Sequence, residues 1–177
     1  MKKTKLLFSI LDIFEIIYLG FLVNLGNLFD SNLSRVCNRL NYGYLMLNIM
    51  TLIFGFISFV TLRKMKLDRY KYLGFVSLFL GSLIRYSPDY PNAFTSNLHL
   101  IFAYISLFSV TIIQIVKLYK FKIYNFKIEN ILKYMGVIIF AYCLYSFLNI
   151  GFVNNLSEWL YLSYLLLSDL IIYNIVE

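Results

Sequence analysis

The sequence predicts an all-α integral membrane protein, a bundle of six transmembrane helices with both termini in the cytoplasm. Three observations predict it: the apolar content, the spacing of the apolar stretches and the distribution of positive charge. Hydrophobic residues make up 60% and charged residues 14% of the 177 positions, against about 45–50% and roughly 25% in globular domains. In water such a chain would expose too much apolar surface, so hydrocarbon is the predicted solvent.

Six apolar stretches have about the 17–25 residues that a membrane-spanning helix needs. The predicted spans cover residues 6–27, 42–62, 68–86, 97–117, 131–150 and 157–175. The third has a short apolar core, from Tyr72 to Ile84, and needs residues 67–71 as an interfacial first turn. The first is interpreted as a retained span, because its apolar stretch continues to about Leu25 and no small-residue cleavage site follows. Since all connectors are short, residues 1–177 are predicted to form one domain.

The positive residues predict the orientation of the spans, because Lys and Arg favour the cytoplasmic side. Thirteen of the sixteen Lys and Arg residues precede span one or lie between spans two and three or spans four and five, Lys117 included. The three on the opposite side are Arg35, Arg39 and Arg85. This asymmetry predicts that both termini lie inside the cell. The expected location is the cytoplasmic membrane of a prokaryote.

Two of the predicted external loops carry turn signals. The loop between spans three and four holds both prolines, Pro88 and Pro91, which predicts a stiff turn. In the first external loop, residues 30–32 (Asp-Ser-Asn) predict a turn or a helix cap.

Several kinds of site are not expected. The net charge of +7 does not indicate nucleic-acid binding, because the basic residues lie between apolar stretches and form no basic face. Cys37 and Cys143 fall in a predicted loop and a predicted span, so free thiols are expected. With one histidine and no Cys/His cluster, neither a metal site nor a cofactor is predicted. Membrane lipid is the expected partner, with another membrane protein or self-association as the alternative.

Acidic residues within the spans are one set of candidate functional residues. Asp12 and Glu15 share a face of span one, and Asp169 lies at a similar depth in span six. A charged group near mid-membrane opposes insertion by about 2.5–3.5 kcal/mol, so this face should turn toward other helices or a wet cavity. Two interpretations stay open: a proton or cation pathway, or protonated or hydrogen-bonded acids that only pack the bundle.

A second polar set lies at the predicted outer ends of the spans. Arg85 ends span three, His99 opens span four and Glu158 opens span six, while Asp30 and Asp89 lie in the adjoining loops. Together they predict a pocket for a lipid head group or small anion, with Arg85 as donor and His99 tuned by Glu158. The alternative is an interfacial network that seals the bundle. A catalytic role for His99 requires a nucleophile within its reach.

One region resembles a known family. Residues 84–91 read Ile-Arg-Tyr-Ser-Pro-Asp-Tyr-Pro, and residues 97–103 read Asn-Leu-His-Leu-Ile-Phe-Ala. The pattern resembles the small six-helix membrane proteins of the Frag/DRAM/Sfk type and their bacterial relatives, in which a Pro- and Asp-containing outer turn precedes a histidine at the start of helix four. Asn48 with Gly55, and Glu158, also fit that pattern. The resemblance implies a six-helix bundle, with links to lipid handling and membrane stress in some members but no settled activity.

The sequence therefore leaves three functions open. The first is a non-enzymatic protein that binds a lipid, a small amphiphile or a partner membrane protein through the outer polar pocket. The second is a small proton- or ion-coupled transporter or channel that uses the acids of spans one and six. The third is an intramembrane enzyme that acts on lipid with His99 as base. A cavity at the outer end favours the first or third function, and a water path past Glu15 favours the second.

Overall fold

The computed structural model describes residues 2–29, 31–70, 72–84, 86, 94–150 and 153–176, with the backbone alone at residues 2, 73–75, 77 and 150. These residues form seven α-helices and one short 3-10 helix, Asp68–Tyr70. The α-helices are α1 Lys2–Asn24, α2 Leu33–Arg39, α3 Gly43–Lys64, α4 Leu73–Leu83, α5 Phe94–Phe121, α6 Phe126–Ile150 and α7 Asn155–Ile175. The prediction of an all-α fold is confirmed.

Four of the helices, α1, α3, α5 and α6, are long and apolar enough to cross a membrane. Their outward faces carry large apolar side chains: Leu6 is 63% exposed, Ile17 66% and Leu148 72%. Surfaces of this kind are unfavourable in water and suited to hydrocarbon, where every backbone polar group of a helix is already paired. These four helices support the prediction of a membrane protein.

The other two predicted spans, the third and the sixth, differ from these four. The sixth corresponds to α7, which has 21 residues and packs against α1, α3 and α6. Its buried face includes the polar residues Ser157, Ser168 and Asp169. The third corresponds to α4, which has only 11 residues. At 1.5 Å per residue α4 covers about 16 Å, roughly half of the hydrocarbon core of about 30 Å, so the structure gives a shorter helix than the predicted span.

Lysine side chains bind carbonyl groups where several helix ends meet. Lys5 Nζ donates to the carbonyl of Asn174 over 3.1 Å, and Lys64 Nζ donates to that of Tyr173 over 2.6 Å. The start of α1 and the ends of α3 and α7 therefore lie at one end of the bundle, which we call the basic end. The start of α7 lies at the opposite end, which we call the far end.

A short helix, α2, occupies the first predicted external loop. The predicted cap is confirmed at Asn32, whose side chain accepts a hydrogen bond from the Arg35 N–H over 2.9 Å. The end of α2 lies so close to the start of α3 that a Cβ on Gly43 would come within 1.9 Å of the Cys37 carbonyl oxygen. Glycine is therefore required at position 43. Cys37 and Cys143 are both free thiols and buried, as the sequence predicted.

Candidate functional site

The sequence-predicted site residues fall into three groups in the structure. Asp30, Arg85 and Asp89 lie outside the described residues, as does much of the segment that carries the family resemblance. Asp12, Glu15 and Asp169 lie in the middle of the bundle, and His99 and Glu158 border a cavity toward the far end. The two predicted sites are thus separate places in the molecule.

The acidic residues of α1 lie on its buried face. Phe8, Asp12, Glu15, Leu19 and Leu22 follow one another at helical spacing, and each has an exposed fraction of 4% or less. This face packs against α7 and α3. The prediction that the acid face turns toward other helices is confirmed.

Asp169 on α7 is paired with a lysine. Lys117 Nζ, on α5, lies 2.5 Å from Asp169 Oδ1, and the two side chains are 3% and 1% exposed. The prediction that Lys117 is a loop charge was wrong, because α5 continues to Phe121 and Lys117 is buried within the bundle. The sequence contained an indication of this pairing. Lys117 lies at the end of a predicted span, at a depth similar to that of Asp169, and a buried acid needs a counter-charge.

Four ionisable side chains therefore meet in the interior, and we call Asp12, Glu15, Lys117 and Asp169 the charge cluster. Asp12 interacts electrostatically with the other three members. Neither carboxyl oxygen of Asp12 or of Glu15 has a hydrogen-bond partner among the described residues. With one ammonium group for three carboxyl groups, two of the acids lack a counter-charge within the cluster. Buried charges without partners are costly, which makes such groups candidates for function.

A cavity of about 210 Å³ lies between the far end and the middle of the bundle. Most of its wall is apolar, with Leu47, Met50 and Phe54 of α3 facing Leu107 and Val110 of α5. Along α5 the lining runs from His99 to Val110, which is about 16 Å of helix and close to half of a hydrocarbon core. The cavity therefore extends along roughly three turns of α5.

Polar groups border the cavity where it approaches the far end. His99 of α5, Ser34 of α2 and Glu158 of α7 all line it. Ser34 Oγ lies 3.0 Å from His99 Nε2, and Glu158 Oε2 accepts a hydrogen bond from the Leu33 N–H over 2.7 Å. The described hydrogen bond of Glu158 is thus to the first turn of α2, and the tuning of His99 by Glu158 stays a prediction.

The sequence analysis did not identify Ser34. The predicted cap at residues 30–32 could have indicated Ser34, because a helix that begins at Leu33 places Ser34 in its first turn. The sequence does not show that α2 lies close to α5. This contact depends on hydrogen bonds from α7 to the loop that precedes α2. Asn155 donates through its backbone N–H to the Ser31 carbonyl over 2.7 Å and through Nδ2 to Ser31 Oγ over 2.7 Å.

Cys37, on the same short helix, is fully buried. Burial raises the pKa of its thiol to about 12, and the Glu158 carboxyl group adds to the rise. Thiolates rather than thiols are the reactive form, so we expect Cys37 to react more slowly than an exposed thiol. Within the described part of the chain, no three His, Cys, Asp or Glu side chains are grouped so as to hold a metal ion.

Comparisons with known proteins add no identification. No protein-family model matches the chain, and neither the curated proteins nor the solved structures gave a match. The resemblance to the Frag/DRAM/Sfk type therefore stays a prediction.

Proposed function

We propose that the protein binds a membrane lipid or a small amphiphile in the cavity beside His99 and Glu158. The observation that carries the proposal is the division of this cavity into an apolar part and a polar part. An apolar cavity of roughly 150 Å³ holds a benzene-sized molecule, so about 210 Å³ accommodates one segment of an acyl chain. Small-molecule sites have this pattern, with mostly apolar walls and a few polar groups that orient the ligand.

The polar part fits a head group or its linkage. Ser34, His99 and Glu158 supply a hydroxyl, an imidazole and a carboxyl group along one side of the cavity. Arg85 follows Ile84, whose carbonyl contacts His99, and we include Arg85 in the proposal as a donor to an anionic group. The cavity depth of about half a hydrocarbon core favours a ligand that comes from one leaflet.

The proposed setting is a cytoplasmic membrane crossed six times, with the basic end and both termini inside. Lys5 and Lys64 at the basic end support this orientation through the preference of positive residues for the cytoplasmic side. In this arrangement α4 and α7 are the third and sixth crossings, and the cavity belongs to the outer leaflet. A tag on the last residue is expected to be accessible only from the cytoplasm, and labelling from outside intact cells would contradict the orientation.

Native mass spectrometry of the protein purified in mild detergent tests the binding proposal. The wild-type protein is expected to retain a lipid. Leu107→Trp places a larger side chain in the cavity wall and should reduce retention at least tenfold. Phe108→Trp is the matched control, because Phe108 is 62% exposed on the outward face of the same helix. Equal retention by the two variants, or none by the wild type, would refute the proposal.

The charge cluster supports a second candidate function, the movement of protons or monovalent cations. Its basis is the pair of buried carboxyl groups, Asp12 and Glu15, without partners among the described residues. Ionisable groups inside a membrane bundle are characteristic of such pathways. In liposomes, Glu15→Gln should abolish a proton- or cation-dependent flux, whereas Glu129→Gln, which changes an acid paired with Lys133 away from the cluster, should leave it unchanged. Absence of flux in the wild type would exclude this function.

A further inference from the structure

The contact between Ser34 and His99 has the geometry of a nucleophile and its general base. Ser34 Oγ and His99 Nε2 are 3.0 Å apart, within the 2.6–3.2 Å expected for such a pair. Both residues line the cavity. His99 is 6% exposed and Ser34 is partly exposed, so the hydroxyl is the more accessible partner.

The surroundings of the imidazole determine which nitrogen carries the proton. His99 Nδ1 lies 2.8 Å from the Gly81 carbonyl oxygen and 2.7 Å from that of Ile84. Carbonyl oxygens only accept hydrogen bonds, so Nδ1 must carry the hydrogen and donate. In the neutral ring Nε2 is then the acceptor, and the Ser34 hydroxyl donates to it. This is the polarity that a general base needs in order to take the hydroxyl proton.

A third element orients the base, as in known catalytic triads. The Gly81 carbonyl belongs to the last turn of α4, where helical carbonyls lack partners within the helix, and Ile84 is the residue that follows the helix. The two carbonyls hold His99 as a carboxylate holds the histidine of a serine hydrolase. On the other side of the pair, Glu158 binds the Leu33 N–H and thereby positions the turn of α2 that carries Ser34.

We propose that Ser34 and His99 are a catalytic pair that cleaves an ester-linked acyl chain held in the cavity. This inference rests on the proposed lipid binding and gives it a substrate class, an ester of a fatty acid. The acyl chain lies along the apolar wall, and the ester carbonyl lies beside Ser34.

The reaction has two balanced steps. Ser34 Oγ forms a bond to the ester carbonyl carbon and passes its proton to His99 Nε2. The bond between that carbon and the alcohol oxygen breaks, and His99 returns the proton to the departing alcohol. Water then attacks the acyl-serine, gives one proton to His99 and releases the fatty acid, while Ser34 Oγ regains its proton. The net reaction is ester plus water giving alcohol plus acid.

A purely structural role for the pair is the competing explanation, in which the contact only fastens α2 to α4 and α5. A serine outside the cavity allows the two roles to be separated. Ser9 of α1 is partly exposed, as Ser34 is, but it lies at the basic end, where Ser9 Oγ accepts a hydrogen bond from Asn174 Nδ2 over 3.4 Å. Ser9 is therefore the matched control for chemistry at Ser34.

The test uses the full chain in mild detergent with a fluorophosphonate probe, which bonds to activated serine hydroxyls, and with a fluorescent fatty-acid ester as substrate. We expect probe mass on the peptide that contains Ser34, loss of labelling in Ser34→Ala, and normal labelling in Ser9→Ala. Since general base catalysis contributes about 10²–10⁴-fold, His99→Gln should slow ester cleavage by that factor. Lipid retention by native mass spectrometry is measured on the same samples.

A gain-of-function variant covers the case in which Ser34→Ala folds poorly. Ser34→Cys places a thiol beside the imidazole, and such thiols are activated as thiolates. We expect iodoacetamide to alkylate Cys at position 34 at least tenfold faster than in the Ser34→Cys, His99→Gln double variant.

The outcomes separate the two proposals. The catalytic pair would be overturned if the protein retains lipid, the probe does not label Ser34, and His99→Gln does not change the alkylation rate of the Ser34→Cys thiol. Lipid binding would stay intact in that case. Absence of retained lipid from the wild type would overturn the binding proposal, and the catalytic proposal with it. Retained lipid together with labelling confined to Ser34 supports both.

Discussion

The ion pair of the charge cluster gives the sharpest prediction of stability. In Lys117→Met the carboxylate of Asp169 loses its only ion-pair partner among the described residues while it stays enclosed. Removal of one member of a buried ion pair costs about 3–5 kcal/mol, because the remaining charge is uncompensated. For a chain of this size, that loss lowers the melting temperature by about 6–20 °C.

The double variant Lys117→Met, Asp169→Asn should recover most of this loss, because no unpaired charge remains. Lys127→Met is the matched control, since Lys127 is an exposed residue of α6, and its change should stay within about 0.5 kcal/mol. Unfolding in detergent can be followed through the single tryptophan, Trp159, which packs beside Gly20 of α1. If Lys117→Met melts at the temperature of Lys127→Met, the argument from the buried pair is wrong.

Two further predictions concern packing. Because burial raises the pKa of the Cys37 thiol from 9.0 to about 12, the folded protein should resist alkylation at pH 8 and react only after unfolding in SDS. Below pH 9 the thiol is neutral in both the folded and the unfolded chain. Between pH 9 and 12 it ionises first in the unfolded chain, so the free energy of unfolding should fall over this range, which melting curves can measure. In Gly136→Ala the new Cβ would come within 2.5 Å of Tyr164 Oη and displace its hydrogen bond to Leu132, at a cost of about 1–3 kcal/mol. Gly81→Ala is the control, because its Cβ has no neighbour nearer than 3.6 Å, and equal melting temperatures would contradict the prediction.

The helices were predictable where apolar content alone determines them. The long apolar stretches predicted α1, α3, α5 and α6, because a helix that faces lipid needs an apolar surface along its whole length. For the third span, the short apolar core predicted from Tyr72 to Ile84 corresponds to α4, Leu73–Leu83, and the predicted first turn is a separate 3-10 helix, Asp68–Tyr70, rather than part of one continuous helix. The cap at Asn32 is a local signal and was found, whereas the helix that follows it was not assigned.

The candidate site was predictable in part. The buried face with Asp12 and Glu15 follows from helical periodicity, which depends only on neighbouring residues. The partners of the outer residues depend on tertiary contacts between distant segments. Glu158 binds a backbone group 125 positions away, and His99 meets Ser34 across 65 positions. Spacing along the chain carries no information about such pairs.

The short α4 has a consequence for the surrounding bilayer. Leu78, Gly81 and Ser82 of this helix form part of the cavity wall, and α4 packs against the much longer α5. In the proposed six-span arrangement, a crossing helix of about 16 Å in a hydrocarbon core of about 30 Å would create hydrophobic mismatch on one flank of the protein, which bilayers relieve by local thinning at a fraction of a kcal/mol per Å. The lipids on that flank would then be thinned next to the cavity. The acyl-chain length of the host membrane should therefore influence how readily a lipid leaves the bilayer for the protein.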